Sequence, residues 1–189
     1  MSLLKRGGAI TAGALMLGSL VACSGGAESP APPPKPQDSG TAISNPKNAS
    51  GVDLCRMLPQ EGASAIGVDP TGAIDDTPKI SDDIPDTCVW KSPDGHTSVA
   101  LGVIPERSID EYYANKSTYS DYQELTIAGY PAVRANDADP AQSGSCSIFL
   151  AAADRQVIYA DTAQVDITDP CAVTQKALES AVPTLPAAK

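Results

Sequence analysis

Cys88-Val89-Trp90-Lys91-Ser92-Pro93-Asp94-Gly95-His96-Thr97-Ser98-Val99-Ala100-Leu101-Gly102-Val103-Ile104 is the stretch that decides the fold. Val99, Leu101 and Val103 alternate with Ser98, Ala100 and Gly102, the period of a half-buried strand. Pro93-Asp94-Gly95 is turn chemistry, and Cys88-Val89-Trp90 starts the strand before it. The unit is a β-hairpin. Trp90 beside Cys88 reads as core packing against a disulfide. His96, at the turn with no nucleophile near it in sequence, reads as a turn residue.

Working outward, further short strands are expected at Glu124 to Ile127 and Ala132 to Ala135, about a turn at Gly129-Tyr130-Pro131. Cys146 to Leu150 and Gln156 to Ala160 form a second hairpin across Asp154-Arg155. Helices are expected from Asp53 to Gly67, from Ser108 to Lys116 and from Asp169 to Pro183. Each opens on a capping side chain, and the last has Pro170 at its first position. Cys171, Thr174, Leu178 and Val182, broadened by Val173, Ala177 and Ala181, give that helix one apolar stripe. Asp69 to Asp86 reads as a solvated acidic loop, because its aspartates lack the alternation and central glycine of a calcium loop. Asn136 to Ser143 reads as a polar loop. The expected class is α+β: an antiparallel, meander-like sheet of about five or six strands with helices packed on one side, in the order α-β-β-α-β-β-β-β-α.

The N-terminus specifies an address. Lys5-Arg6 precede an apolar run from Gly7 to Ser19, too short to span a bilayer, and Leu20-Val21-Ala22-Cys23 follows. This is the pattern of a lipoprotein signal: residues 1–22 are removed and Cys23 becomes a lipidated N-terminus. Residues 23–50, with six prolines among Ser, Gly, Asn and Ala, read as a Pro-rich tether without structure. Residues 51–189 are the single globular domain. Ser44-Asn45-Pro46-Lys47 matches a Ser-x-x-Lys nucleophile pattern, discounted because the tether offers nothing to orient it.

The cysteines then resolve. Five are present. With Cys23 lipidated, Cys55, Cys88, Cys146 and Cys171 remain in an oxidising compartment. Four cysteines allow three connectivities. Asp53-Leu54-Cys55 and Asp169-Pro170-Cys171 both put a cysteine in a first helical turn, while Cys88 and Cys146 each head a strand. Two helix-to-strand bridges are therefore expected, Cys55 with Cys88 and Cys146 with Cys171. No Cys-x-x-Cys pair occurs and there is one histidine, so no metal and no cofactor are expected.

The chain carries a net charge of -10. Loss of Lys5 and Arg6 with the signal makes it more acidic. With no basic patch to neutralise phosphates, nucleic acid is not an expected partner. Tyr112, Tyr113, Tyr119, Tyr122 and Tyr130 cluster in sequence. They read first as the aromatic part of the core and second as a binding face for protein, glycan or lipid.

These features, in order, are a lipobox, a proline-rich tether, Asp53-x-Cys55-x-x-Leu58, Cys88-x-Trp90, Gly129-Tyr130-Pro131-Ala132-Val133, a strand with Cys146, and Asp169-Pro170-Cys171 at the last helix. The chain from about Gly51 to Leu185 resembles the secreted lipoproteins of high-GC Gram-positive bacteria grouped as domain-of-unknown-function family thirty-five fifty-eight. The resemblance implies an envelope lipoprotein with no established activity and no known catalytic residues. The residues offer no Gly-x-Ser-x-Gly elbow and no histidine beside a nucleophile, so the expectation is a non-enzymatic protein. It is anchored on the extracytoplasmic face of the cell membrane and binds an envelope component or partner protein. A lipid or glycolipid carrier with an apolar cavity between sheet and helix is the main alternative. A purely structural or immunity-type role and an envelope hydrolase follow.

Overall fold

A computed structural model describes residues 42–79, 81, 84–166 and 169–189. The signal, Cys23 and the tether up to residue 41 lie outside the described residues.

The chain opens with a 3-10 turn at Leu54–Arg56, capped by the Asp53 carboxylate, which accepts from the Cys55 amide. Helix α1 (Gln60–Ala65) follows. Pro59 precedes this helix as its cap residue, and Gly67 at φ +78° ends the segment. Then come β1 (Ala73–Ile74), β2 (Thr87–Lys91), β3 (Thr97–Pro105), α2 (Asp110–Ala114), β4 (Asp121–Ile127), β5 (Tyr130–Asn136), α3 (Pro140–Ser143), β6 (Ser145–Ala153), β7 (Gln156–Gln164) and α4 (Pro170–Ala181). The strands form one antiparallel sheet in the order β1-β2-β3-β7-β6-β5-β4.

The class is α+β, with seven strands where five or six were expected. The addition, β1, lies in the acidic loop. Two residues, both exposed, carry no readable alternation, and their pairing with Val89 and Cys88 is purely long-range. Helix α3 stands where composition predicts a polar loop; Asp139 caps it, Pro140 opens it and Gly144 at φ +71° closes it. The sheet is two meanders, β1-β2-β3 and β4-β5-β6-β7, fused by nine pairs between β3 and β7.

That fusion has a consequence. The segment from β3 to β4 must travel from the middle of the sheet to its far edge, so it crosses a sheet face. Ser108 starts its helix: the Ser108 hydroxyl accepts from the Asp110 amide at 3.2 Å while the Glu111 carboxylate accepts from the Ser108 amide at 3.2 Å. Ile109 and Tyr112 then pack on Val133, Ala151, Val157 and Ile104 from four different strands. Helices therefore lie on both faces, not on one side as expected.

The opposite face carries the main core. Trp90, Val99, Leu101, Ile148, Leu150 and Ile158 are fully buried there with Ala177, Leu178 and Ala181 of α4. Disulfides join Cys55 to Cys88 and Cys146 to Cys171. At the second, the buried Thr174 hydroxyl lies 2.9 Å from the Pro170 carbonyl and 3.0 Å from the Cys146 carbonyl, and 2.9 Å from the Thr162 hydroxyl. This network ties α4 to β6 and β7.

The domain begins before Gly51. The Lys47 amide donates to the Ala152 carbonyl at 2.8 Å, Lys47 bridges Ala187, and Ala49 is 1% exposed. The Tyr130 hydroxyl donates to the Asn45 carbonyl at 2.7 Å. Proline-rich composition argues against helix or central strand, but it does not stop a segment from being held by backbone groups of β6 and the C-terminal residues. In the Ser44/Lys47 pair, the Lys47 ammonium donates to the Leu185 carbonyl at 3.2 Å.

The β4–β5 turn is Ala128-Gly129, one residue earlier than expected. Both are left-handed, at φ +51° and +84°, as a two-residue hairpin turn requires. Pro131 is inside β5, beyond the residues that pair with β6, where no ladder bond needs its missing N–H. Alanine is strained in this conformation. Ala128→Asn is expected to stabilise the domain by about 0.5–1 kcal/mol; denaturant unfolding checks it, and no gain would refute the turn assignment.

Candidate functional site

The face crossed by α2 is where side chains with binding chemistry collect. Tyr122, Tyr119, Tyr112, Phe149 and Tyr159 form a row, with successive ring centroids 6.3, 6.5, 4.3 and 5.4 Å apart. Tyr112 is buried beneath α2. Burial pushes its hydroxyl up to about 12, with Arg107 opposing. Tyr113 packs at the margin of the same cluster. Tyr130 does not belong: it lies on the α4 face, engaged with Asn45. Four of the five tyrosines singled out by sequence share a face, and Phe149 and Tyr159 complete the row.

Beside the row is an open cleft of about 360 Å³. It is lined by Tyr119, Phe149 and Tyr159 and rimmed by Asp137, Ser145 and Ser147. The polar groups are organised. Ser147 and Ser145 donate to the same oxygen of Asp161, at 2.7 and 3.2 Å. Cross-strand pairing explains this: Ser147 stands opposite Asp161, and Phe149 opposite Tyr159. Burial raises the Asp161 carboxyl pKa, while the hydroxyls of Ser147 and Ser145 oppose the shift. Burial, reinforced by Asp161, pushes the Tyr159 hydroxyl up to about 12, so at neutral pH it is a donor.

Asp161 also borders a second, wider trough of about 730 Å³ along the β1–β3 half of the sheet. Val89, Lys91, Ser98 and Ala100 floor it, and Asp69, Asp75 and Asp76 stand at its margin. The Asp75 carboxyl is held below its usual range by hydrogen bonds from Thr77. Asp161 thus marks the ridge between two openings on one face. On the opposite face the layer beneath α4 is filled by buried side chains, and an opening of about 410 Å³ lies at its edge among Ala49, Leu54, Ile84 and Val103.

Alternation held the missing signal. Ser145, Ser147 and Phe149 are in one phase of β6, and Tyr159 and Asp161 in one phase of β7. A period-two reading puts them together once the Cys146/Ile148/Leu150 phase is assigned to the core. His96 is exposed at its turn, 2.9 Å from the Asp166 carboxylate. Trp90, fully buried, is core.

Asp161 allows a test of this electrostatic picture. Its carboxyl pKa is higher folded than unfolded, so the native state binds that proton more tightly. Stability from the neutral form is present at low pH and is lost as pH rises through the folded value. Asp161→Asn stays neutral and can still accept from both serines. It is expected to raise Tm at pH 7 by about 2–5 °C, with the gain shrinking toward pH 4. An equal loss at both pH values would show that the carboxylate is net stabilising.

The arrangement so described belongs to a chain whose residues 19–184 match the family described as "Protein of unknown function (DUF3558)". The chain belongs to that family. Comparison with curated proteins found no match.

Proposed function

We propose that the protein is a lipid-anchored, non-enzymatic binding domain of the cell envelope, held by Cys23 on the outer face of the cytoplasmic membrane. It engages an envelope component or partner through the sheet face opposite α4. One observation carries the reading: on that face an aromatic row adjoins an open cleft, with a wider polar trough beyond it, while the layer between α4 and the sheet is filled by buried side chains. Half-buried aromatics next to ordered polar groups are what recognition surfaces are made of. The anchor rests on Lys5-Arg6, the apolar run and Leu20-Val21-Ala22-Cys23. No helix among the described residues is long and apolar enough to cross a membrane. The filled layer between α4 and the sheet speaks for an open-face binder over a carrier that encloses an acyl chain.

The test is to titrate separated glycan, lipid and protein fractions of the envelope into the isotope-labelled full chain. Amide shifts are expected around residues 98–100, 119–137, 145–149 and 159–161. Shifts confined to residues 175–179 on α4, or none with any fraction, would overturn the proposal.

A further inference from the structure

We propose that the cleft between Tyr119, Phe149 and Tyr159 and the rim of Asp137, Ser145 and Ser147 binds neutral pyranose units of a glycan. This rests on the reading that the sheet face opposite α4 is the binding face, and gives that face a ligand class.

The aromatic floor is the first reason. A pyranose presents axial C–H groups on one side, apolar and slightly positive, which lie well on the negative face of an aromatic ring. Tyr119, Phe149 and Tyr159 are each only half-buried, so they keep surface open to the cleft. Phe149 is braced from below by Tyr112 at 4.3 Å and from the side by Tyr159 at 5.4 Å. Ring positions are thus set before a ligand arrives, which lowers the ordering cost of binding.

The hydrogen-bonding sense of the rim is the second reason. Both serine hydroxyls spend their protons on Asp161. Their oxygens are left as acceptors. Asp137 is exposed and is an acceptor too. An acceptor-rich rim recognises groups that donate, and sugar hydroxyls do. The Tyr159 hydroxyl pairs with Ser147 and holds it in place at the rim, leaving the second lone pair of the Ser147 oxygen for a sugar hydroxyl.

Charge and shape are the third. Asp137 stands on the rim and Asp161 lies behind Ser145 and Ser147, two carboxylates against the Arg107 guanidinium near Tyr119, a balance that disfavours phosphate, uronate and other acidic ligands. At about 360 Å³ the cleft is within the range of about 300–1,000 Å³ for small-ligand sites. It is open to solvent and polar along one wall, unsuited to an acyl chain, which needs enclosure on all sides.

The test uses the full chain and saturation-transfer NMR with four probes: maltotriose, mannotriose, tri-N-acetylchitotriose and, as the acidic control, a galacturonic acid trimer. At least one neutral trisaccharide is expected to bind, with transfer strongest to the protons of its axial C–H face. Amide shifts should follow at Tyr119, Asp137, Ser145 to Phe149 and Tyr159. Tyr119→Ala and Asp137→Ala should each weaken binding about tenfold, the value of one good contact. Tyr159→Phe, which keeps the ring but releases Ser147, should weaken it several-fold. Asp137 is exposed, so its variant folds even if loss of Tyr119 perturbs the row. The proposal is overturned if no neutral probe binds at millimolar concentration, if the acidic trimer binds equally, or if Asp137→Ala binds like the wild type. Should no sugar bind while a protein or lipid fraction still shifts this face, the glycan inference falls and the binding face stands. Should nothing shift the face, both fall.

Discussion

Reduction of both disulfides is expected to lower Tm by about 15–30 °C, the largest stability change available short of a core truncation. The reasoning starts from loop length. The bridges span 33 and 25 residues of sequence. In the chain-entropy model these loops restrict the unfolded ensemble by about 3.7 and about 3.5 kcal/mol. The loops do not overlap, so the contributions should add. Their sum is comparable with the total stability of an ordinary domain, about 5–15 kcal/mol. The two bridges also fail differently. Loss of Cys55–Cys88, in a Cys55→Ala/Cys88→Ala variant, should open the segment from Leu54 through α1 to hydrogen exchange and leave the sheet protected. Loss of Cys146–Cys171 should act less locally, because Thr174 still ties α4 to β6 and β7. Calorimetry with and without reductant checks the sum; a shift below about 5 °C would show that the core alone holds the domain.

Cys23→Ala should move the protein from the membrane fraction to the soluble one in full, with Tm and both disulfides unchanged. A diacylglyceryl group gives two acyl chains, and at about 0.8 kcal/mol for each buried CH2 two chains hold where one binds only reversibly. No described helix is long and apolar enough to cross a bilayer, and the acidic surface repels anionic headgroups. Fractionation of cells expressing the variant measures this directly. Persistence in the membrane fraction would remove the lipid anchor from the proposal.

What was legible in the sequence was local. Six strands were readable as short apolar runs between turn signals, Thr97 to Ile104 by clean alternation, and the capping roles of Asp53, Ser108 and Asp169 were readable from side-chain chemistry alone. The pairing of β3 with β7 was not, because nothing local to Thr97–Pro105 says that its second neighbour lies some sixty residues away. The unread pairing hid the site. Only when β3 sits mid-sheet must the next segment cross a face, and only then do Ile109 and Tyr112 meet Val133 and Val157. Tyr130 was grouped with the other tyrosines by nearness in sequence, whereas strand phase puts it on the opposite face. Phase was also the clue to Phe149, Tyr159 and Asp161, obscured because both strands of that hairpin are apolar enough to read as buried throughout. The ordered residues 43–49 were missed for a different reason: their backbone bonds are made to Ala152 and Pro186, which composition cannot foretell.

The measurement that bears most directly on the binding face is site-specific photo-crosslinking in intact cells, with the photoreactive residue placed at Tyr119, at Ser98 or at Glu179. The first two positions line the clefts, and the third is exposed on α4. The expected result is a discrete adduct from Tyr119 and Ser98 and none from Glu179. An adduct from Glu179 alone, or the same adduct from all three positions, would contradict the assignment of binding to the sheet face opposite α4.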